Sequence, residues 1–418
     1  MMAARGWRDA GEACAFLSAG LAALHDPASL PDIDVAVERL VRAVRSREPI
    51  CIYGDYDVDG TTGSALLLRV FAWLGAAGVT HRTPHRLLEG YGLHPQAVDE
   101  IAAEGVRLII TVDNGSTAHA ALARARERGV DVIVTDHHQI GAERADCLAL
   151  VNPCRPGSAY PFSELCGCAV AFKLAQALVK AMGRSPAEAK PFLTSLLEFV
   201  AVATVSDVMP LHGENRAIVR YGVSRLTESS CLGLRALIGV AGLAGKVSAE
   251  NIGWVIGPRL NAAGRTRHAS IAVELLTTES ESRATELARE LETLNRERQD
   301  IERAMVEQAL EELDRHREDP VIVLARPGWH RGVLGIVASR VLERVERPVL
   351  LMAIEDGLAH GSGRSTPGFD LHAALCACAG HLAGFGGHPM AAGLTCETGK
   401  IDGFRAAIIA HALALGPE

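Results

Sequence analysis

The sequence lacks the cysteine spacing of a zinc site or of a disulfide framework. None of its 10 cysteines forms a C-x-x-C pair, and the two nearest pairs, Cys166 with Cys168 and Cys376 with Cys378, are two residues apart. This scatter is typical of buried, reduced thiols in a reducing compartment. We therefore expect a cytoplasmic protein.

Long apolar runs and an excess of positive charge are also missing. No run approaches the roughly 18 apolar residues that a membrane span needs, so we expect a soluble protein with no membrane partner. The 42 Lys and Arg residues against 50 Asp and Glu residues give a formal net charge of -8. That charge argues against non-specific adhesion to nucleic acid. It leaves room for a local basic channel, because net charge does not describe how charge is distributed.

Motifs of two other hydrolase classes are absent. The phosphate loop G-x-x-x-x-G-K-[ST] and the zinc motif H-E-x-x-H do not occur, so triphosphate hydrolysis and zinc peptidase chemistry have no support. Aromatic residues make up only 4% of the chain. Base stacking would therefore rest on few side chains, among which Tyr91, Trp254 and Trp329 lie near motif segments.

The first half of the sequence contains a repeated pattern of strands and helices. Three short β-branched runs, each flanked by helical patterns, lie at residues 49–53, 107–112 and 130–135, and a fourth strand is predicted at 147–151. This alternation predicts parallel strands in βαβ units covered on both faces, which is a doubly wound α/β sheet. Helices rich in Ala and Leu follow over residues 165–205.

A long charged helix divides the chain. From residue 281 to about 317 one apolar stripe runs without Gly or Pro, so the helix could span on the order of 55 Å and connect two domains. The alternative is an amphipathic helix folded back on its own domain. Apolar runs at 320–325 and 348–352 begin a second, smaller α/β domain. We predict a first domain at 1–279, a connecting helix at 280–317 and a second domain at 318–418.

Acidic residues and histidines follow the first three predicted strands. In an open parallel sheet ligands bind beyond the carboxyl ends of the strands, so these side chains should converge on one crevice. Crowded carboxylates repel each other strongly unless cations lie among them. The side chains concerned are Asp55, Asp57, Asp59, Asp113, Asp136, His137 and His138.

Mixed Asp and His ligands suit Mn²⁺ or Mg²⁺, and suit Zn²⁺ less without thiolates. A single aspartate after a strand commonly caps a helix, and for Asp113 alone capping is an equal alternative. The whole set favours a metal site, and Asp207, at the end of a later apolar run, is a natural bridging ligand. Two ions about 3.5 to 4 Å apart would support in-line phosphodiester hydrolysis. His138 is predicted either to orient or protonate groups around the phosphate or to support the ligands structurally.

The D-x-D segment Asp57-Val58-Asp59, Asp113 and the sequence Asp136-His137-His138 together resemble the DHH phosphoesterase superfamily, and within it the RecJ-type single-strand-specific exonucleases. The resembling segments extend over about residues 30–395 and include 53–62, 89–92, 257–265 and 386–393. The resemblance implies a parallel, doubly wound DHH domain joined by a long helix to a smaller α/β DHHA1 domain. It also implies two divalent ions, Mn²⁺ or Mg²⁺, and 5′ to 3′ release of mononucleotides from single-stranded DNA in DNA repair and recombination.

The resemblance also assigns roles to residues of the first domain. Tyr53 lies where many superfamily members have a histidine ligand, and we expect Asp55 to replace it. Catalytic roles are expected for Asp113, His137 and His138. The implied metal ligands are Asp55, Asp57, Asp59, Asp113, His137 and Asp207.

Substrate contacts are expected from arginines and glycine-rich segments, because guanidinium is a planar fork for phosphate and glycine allows close backbone approach. Each arginine taken alone is more often a solvated surface residue. By resemblance, the second domain would bind a strand end or its phosphate. The expected contacts are Arg86, Arg259, Asn261, Arg265, Ser362, Arg364, Gly386, Gly387 and His388. The expected partners are single-stranded nucleic acid, by resemblance DNA, and a single-strand-binding protein or a helicase.

Two other functions are compatible with the same superfamily. One is hydrolysis of short oligoribonucleotides, nucleoside bisphosphates, cyclic dinucleotides or pyrophosphate; the segments at 89–92 and 257–265 favour the exonuclease over these. The other is a non-catalytic scaffold like the RecJ-related subunit of the eukaryotic replicative helicase. Such relatives have lost metal ligands, which are intact in this sequence. Bacterial RecJ enzymes usually continue into an OB-type domain, whereas about two dozen residues follow Gly393 here.

Overall fold

The structure is a computed structural model that describes residues 9–141, 143–243 and 245–415. The outermost ends of the predicted domains, residues 1–8 and 416–418, lie outside the described residues. The chain divides into two compact units, Met1–Asn295 and Arg296–Glu418.

The first unit contains a five-stranded sheet in the order β2-β1-β3-β4-β5, and every strand pair is parallel. The four predicted strands are confirmed. Strand β2 was not predicted, because its sequence Val-Thr-His-Arg is partly exposed and has one apolar residue. The strands are β1 (Ile50–Gly54), β2 (Val79–Arg82), β3 (Leu108–Val112), β4 (Asp131–Thr135) and β5 (Ala149–Val151).

Helices cover both faces of this sheet, as the α/β pattern predicted. Alternate residues of β1 face opposite ways: Ile50 and Ile52 belong to one core, and Cys51 and Tyr53 belong to the other. The helices of the first unit are α1 (Ala10–Ser18), α2 (Ile33–Ser46), α3 (Val58–Leu74), α4 (Pro95–Ala103), α5 (His119–Glu127), α6 (Gly167–Ala181), α7 (Pro186–Ser195), α8 (Leu197–Ser206), α9 (Gly213–Leu226), α10 (Leu232–Val240), α11 (Ala249–Asn251), α12 (Gly257–Thr266) and α13 (Ser270–Thr277).

Within the described chain, one helical stretch, Pro186–Ser206, is long and apolar enough to cross a membrane, and half of its most apolar window is buried. Core helices of soluble proteins have the same composition. The α8 part of this stretch is buried from Leu197 to Thr204, so it packs as a core helix.

The predicted long helix is confirmed as α14 (Glu281–Glu312), which ends before the predicted residue 317 in a short 3-10 turn, Leu313–His316. The division between the two units falls within this helix. Leu287 and Leu291 are buried in the core of the first unit, whereas Met305 is buried in a core of the second. The apolar stripe therefore contributes to both units.

The second unit has a mixed five-stranded sheet in the order β6-β7-β8-β10-β9, in which only the β6–β7 pair is parallel. Two of its strands were predicted. The other three contain glycine and polar residues, which is an unusual strand composition. The elements are β6 (Ile322–Pro327), α15 (Leu334–Val345), β7 (Val349–Glu355), β8 (Leu358–Arg364), α16 (Leu371–Ala377), β9 (Gly384–His388), β10 (Ala391–Glu397) and α17 (Ile401–Leu415).

A fully buried ion pair connects the helices of the first unit. The Lys173 ammonium of α6 donates to Glu214 Oε1 of α9 at 2.5 Å, and both side chains are 0% exposed. Glu214 also accepts hydrogen bonds from the Tyr160 hydroxyl at 2.6 Å and from the His25 backbone N–H at 2.8 Å. These bonds satisfy both carboxylate oxygens, which is the condition under which a buried charge is tolerated.

We expect Lys173→Met to lower the free energy of unfolding by about 3 to 5 kcal/mol, because Glu214 would remain buried without a counter-charge. Urea denaturation measures this change. The exposed Lys190→Met serves as the control and should change stability by less than about 0.5 kcal/mol. Adding Glu214→Gln to Lys173→Met should restore part of the loss. A single variant as stable as the parent would contradict this account of the pair.

Candidate metal centre

The carboxyl ends of three neighbouring strands lie at the same level. In the sheet register Gly54 of β1 pairs with Val112 of β3, which pairs with Thr135 of β4. The next residue of each strand is an aspartate: Asp55, Asp113 and Asp136. The three aspartates are 1 to 2% exposed. The expected convergence of these acids on one edge of the sheet is therefore observed.

Two glycines allow the D-x-D segment to fold tightly after β1. A Cβ on Gly60 would lie 2.5 Å from the Asp55 backbone nitrogen, and a Cβ on Gly54 would lie 2.7 Å from the Gly60 carbonyl oxygen. Asp57 caps α3 by accepting a hydrogen bond from the Gly60 N–H at 3.0 Å. Asp59 follows in the first turn of the same helix. Asp57 therefore caps a helix, and its role as a metal ligand remains a prediction.

The amino terminus of α6 supports two of the acids. Asp59 accepts hydrogen bonds from the backbone N–H groups of Gly167 at 2.6 Å and Cys168 at 2.7 Å. A Cβ on Gly167 would lie 2.6 Å from the Asp113 Cβ, so only glycine permits this approach. The orphan N–H groups of a helix start favour a carboxylate in this position.

Asp113 has a left-handed backbone with φ of 63°, which aspartate adopts more readily than most residues. The Tyr91 hydroxyl donates to the Asp113 carbonyl oxygen at 2.8 Å. Asn114, the next residue, donates its side-chain amide to the Tyr53 carbonyl at 3.2 Å and to the Val112 carbonyl at 2.9 Å. These bonds attach the turn after β3 to the carboxyl ends of β1 and β3.

The His137 imidazole lies among three carboxylates. Its Nε2 atom is 3.1 Å from Asp113 Oδ1, 3.6 Å from Asp207 Oδ2 and 3.7 Å from Asp59 Oδ2. Asp207 is brought to the centre by α8, whose carboxyl end it caps. The expected bridging position of Asp207 is therefore compatible with the geometry.

Several ligand atoms of this cluster have no hydrogen-bond partner although they are buried. Within the described part of the chain, these atoms include Asp55 Oδ1, Asp113 Oδ1 and His137 Nε2. The last two lie 3.1 Å apart without hydrogen-bond geometry. Unpartnered buried polar atoms are rare, and bound cations would supply the missing partners.

The ligand atoms form overlapping groups, each within 4.8 Å: Asp55 with Asp57 and Asp113; Asp59 with His137 and Asp207; and Asp113 with His137 and His138. Asp113 and His137 each belong to two of these groups. Of the two, the carboxylate of Asp113 has two oxygens and could be shared between two ions. Oxygen-rich sets with one or two imidazoles fit Mn²⁺ or Mg²⁺.

The electrostatics of the cluster also fit bound cations. Burial, then the charge of Asp59, raises the pKa of Asp113 well above its usual range. Burial, then Asp59 and Asp57, raises the pKa of Asp207 to about 8. Burial lowers the pKa of His137, so its ring is neutral at neutral pH and free to bind a metal. Without cations the acids would have to retain protons, and divalent ions would replace those protons.

Asp136 has a structural role that the sequence did not assign. Its Oδ1 accepts from His138 Nδ1 at 2.8 Å and from the His137 N–H at 2.8 Å, and its Oδ2 accepts from the Ser116 N–H at 3.0 Å. Burial alone would raise the pKa of Asp136, but the hydrogen bond and charge of His138 and the hydrogen bonds from Ser116 together outweigh it and lower the pKa to about 2. Asp136 therefore orients both histidines.

His138 is held in turn by Asp136 and lies near Tyr91. Burial alone would lower its pKa, but the hydrogen bond and charge of Asp136 raise the pKa to about 9. The Tyr91 hydroxyl lies 3.1 Å from His138 Nδ1. In the metal-free protein the ring is therefore protonated at neutral pH, and its Nε2 atom lies on the side of the ring away from the Asp136 bond.

The expected substrate residues of the first unit have protein partners. The Arg86 guanidinium lies 4.6 Å from the centre of the Tyr56 ring, beside the D-x-D segment. Asn261 Oδ1 accepts from the Val58 N–H at 3.1 Å and so fixes the start of α3. Arg265 lies in the last turn of α12.

The Arg259 guanidinium makes hydrogen bonds within the protein. Its Nε donates to Glu292 Oε2 of α14 at 2.6 Å, its Nη1 donates to the Val255 carbonyl at 2.8 Å, and its side chain is 14% exposed. These bonds hold the turn before α12. Its expected role in binding substrate remains a prediction.

In the second unit, the Arg364 guanidinium lies over the end of β8. Its Nη1 donates to the Gly363 carbonyl at 2.8 Å and to Ser362 Oγ at 3.3 Å. A Cβ on Gly335 would lie 2.8 Å from Arg364 Nη2 and 3.1 Å from Ser362 Oγ, so this glycine allows α15 to begin close to both. Gly386, Gly387 and His388 lie on β9, an exposed edge strand of the sheet.

Comparisons with known proteins agree with this geometry. Residues 49–204 match the DHH family, N-terminal domain, and residues 318–412 match the DHHA1 domain. The single-stranded-DNA-specific exonuclease RecJ of Bacillus subtilis is 42% identical over 97% of this chain. The chain spans about half of that relative, 51% of its length.

A second relative is matched over more of its own length. The single-stranded-DNA-specific exonuclease RecJ of Dickeya dadantii is 41% identical over 93% of this chain and 70% of its own. A crystal structure of exonuclease RecJ bound to manganese is 39% identical, covers 94% of this chain and 96% of its own, and superposes with a TM-score of 0.82. The chain therefore belongs to the RecJ family.

Proposed function

We propose that this protein is a divalent-metal-dependent exonuclease that hydrolyses the phosphodiester bonds of single-stranded DNA. One observation carries the proposal: buried carboxylate and imidazole atoms without hydrogen-bond partners converge at the carboxyl ends of three parallel strands. The curated relatives are called single-stranded-DNA-specific exonucleases, and the intact ligand set disfavours a non-catalytic scaffold.

Two cations would be held with Asp113 between them. Asp55 and Asp57 would be the further ligands of one ion, and Asp59, His137 and Asp207 would be ligands of the other. When bound, such a pair of ions activates a water molecule and stabilises the charge that develops on the phosphate and the leaving oxygen.

The side chains around the ions would then orient the substrate. The protonated His138, held at Nδ1 by Asp136, can donate from Nε2 to a phosphoryl oxygen or to the leaving oxygen. Arg86, beside the D-x-D segment, offers a guanidinium to a phosphate.

By the family relationship we further propose 5′ to 3′ cleavage that releases mononucleotides, a role in DNA repair and recombination, and a cytoplasmic location. A single-strand-binding protein or a helicase is the proposed protein partner. The deciding experiment is digestion of end-labelled single strands of DNA and of RNA, with Mn²⁺ or Mg²⁺. Cleavage of dinucleotides but not of long strands would favour a hydrolase of small nucleotides instead.

Asp113→Asn tests the metal centre. Asparagine keeps the shape and tolerates the left-handed backbone, so the fold should be retained and the metal-free protein should be no less stable. Loss of the shared ligand should lower turnover by about three orders of magnitude or more. Turnover is measured on single-stranded DNA with saturating Mn²⁺, and Mn²⁺ affinity by titration calorimetry. The control is Asp402→Asn, whose side chain is 94% exposed. Near-normal turnover would show that Asp113 does not hold a metal.

The pH dependence of stability is a second test. The folded pKa of Asp207, about 8, lies above its usual 3.8, so its stabilising contribution is full below about pH 4 and is lost as pH rises through about 8. The metal-free protein should therefore weaken over this range. Mn²⁺ should raise the melting temperature more at about pH 8.5 than at about pH 6, and Asp207→Asn should reduce that difference. An equal effect of Mn²⁺ at the two pH values would contradict the assignment.

Arg364→Ala tests the phosphate contact of the second unit. Losing a charge-assisted hydrogen bond should weaken substrate affinity by about one to two orders of magnitude. The effect should be larger for a strand with a 5′-phosphate than for one with a 5′-hydroxyl, as judged by KM. Arg303→Ala, a change at an exposed arginine of the same unit, is the control. Equal losses on both strands would make Arg364 a general backbone contact.

A further inference from the structure

An asparagine, Asn152, follows β5, whereas an aspartate follows each of the strands β1, β3 and β4. Val151 of β5 pairs with Thr135 of β4, so Asn152 comes at the same level as Asp136 at the carboxyl edge of the sheet. Asn152 is 0% exposed. A buried amide is unfavourable unless its polar groups find partners. The partners of this amide therefore indicate its role.

The hydrogen bonds of the Asn152 side chain define its orientation. Its Oδ1 atom accepts from the backbone N–H of Cys154 at 2.8 Å, and a backbone N–H can only donate. The Nδ2 group therefore faces the other way. It donates to the His138 carbonyl oxygen and to Ser116 Oγ, both at 2.9 Å. Both N–H groups of the amide and its oxygen are thus used.

These bonds close a cycle of hydrogen bonds around Asp136. The Ser116 backbone N–H donates to Asp136 Oδ2 at 3.0 Å, and the Ser116 hydroxyl also hydrogen-bonds to Asp136. Asp136 Oδ1 accepts from His138 Nδ1 at 2.8 Å. Asn152 binds both ends of this chain, at Ser116 and at the His138 carbonyl. We call Asn152, Ser116, Asp136 and His138 the Asn152 network.

The amide also decides in which direction the hydrogen bonds of the network run. Because Asn152 Nδ2 donates to Ser116 Oγ, the Ser116 hydroxyl proton is left for Asp136. The Asp136 carboxylate then receives only donors, so the proton of its bond to His138 lies on Nδ1. The substitution Asn152→Asp would instead attract the Ser116 hydroxyl proton and place an oxygen opposite the His138 carbonyl oxygen. The network therefore needs an amide at this position.

The Asn152 network is complete without a metal ion. In the part of the chain that the structure describes, no buried side-chain atom of its four members lacks a hydrogen-bond partner, whereas Asp113 Oδ1 and His137 Nε2 do. Asn152, Ser116 and Asp136 are at most 1% exposed, and the His138 side chain is 39% exposed. A fully satisfied buried network specifies one geometry. Here that geometry is given to the one exposed member, His138.

We propose that Asn152 is a positioning residue that fixes the His138 imidazole for donation to the phosphate, acting through the His138 carbonyl and through Ser116 and Asp136. This inference rests on the proposed function, in which His138 donates from Nε2. The network holds the main chain of His138 at one end and its Nδ1 atom at the other. The place and the rotation of the imidazole are therefore set before the substrate binds, which is the preorganisation that catalysis requires.

Asn152→Asp is the most direct test, because it changes the donors of the amide and keeps its size. On single-stranded DNA kcat should fall by about 10- to 100-fold, the usual loss when a partner that orients a metal-site residue is removed. KM and the Mn²⁺ affinity, measured by titration calorimetry, should stay close to those of the parent. An unchanged kcat would overturn the proposal. A fall in Mn²⁺ affinity equal to the fall in kcat would also overturn it, because the network would then serve the metal ligands.

Ser116→Ala tests the same network without introducing a charge. It removes the hydroxyl and keeps the backbone N–H that binds Asp136, so the variant should fold even if Asn152→Asp does not. Here kcat should fall by about 10-fold with KM unchanged. Ser229→Ala is the matched control, because Ser229 is also 1% exposed and its hydroxyl oxygen accepts from the Cys231 N–H at 3.0 Å. Equal falls of kcat in the two variants would contradict the proposal.

A measurement without catalysis distinguishes this inference from the proposed function. In the metal-free protein with isotope-labelled histidine, the His138 Nδ1–H proton should give a low-field magnetic resonance signal, identified by its loss in His138→Gln. Asn152→Asp and Ser116→Ala should shift or remove that signal. If the parent degrades single strands and the two variants keep the signal unchanged, the positioning role fails alone, whatever their kcat. If the variants lose the signal but the parent degrades no single strand, the proposed function fails instead.

Discussion

The mutual repulsion of buried carboxylates is the constraint on which the first unit depends. Asp55, Asp59 and Asp113 are at most 2% exposed and share one crevice with Asp57 and Asp207. Such a cluster is unfavourable unless each charge is neutralised by a proton, a hydrogen bond or a cation. This arrangement forms because the carboxyl ends of the parallel strands are in register. Each strand is therefore followed by its aspartate at the same edge of the sheet.

Hydrogen bonds from the surrounding backbone offset part of the repulsion between the carboxylates. Bound metal ions would offset the remaining part. The N–H groups at the start of α6 bind Asp59, and the N–H group of His137, after the end of β4, binds Asp136. Among the described residues of the cluster, the buried oxygens without a hydrogen-bond partner are Asp55 Oδ1 and Asp113 Oδ1. The two histidines differ in the same way. In the metal-free protein His137 is neutral and lies among the acids, whereas His138 is protonated and hydrogen-bonded to Asp136.

The features that the sequence predicted correctly are those that depend on a local pattern of residues. Apolar β-branched runs predicted β1, β3 and β4, and the acids that follow them predicted the cluster. Sequence reasoning missed β8, β9 and β10, whose glycines and polar residues form strands because neighbouring strands supply hydrogen bonds. The roles of Arg259 and Asn261 were not visible either. Their partners, Glu292 and Val58, are distant in sequence, and nothing in a lone arginine or asparagine reveals a long-range contact.

The sequence by itself determined which residues could form the centre, because the alternation of strands and helices predicts a parallel sheet, and the carboxyl ends of parallel strands meet at one edge. Tertiary structure decided which of them contribute to the crevice. Asp136 accepts hydrogen bonds from backbone N–H groups, and Asp207 lies at the carboxyl end of a helix. Tertiary structure also decided that Val208, the residue after Asp207, is exposed. Exposure depends on what packs against a side chain, and that is set by contacts between segments far apart in the chain.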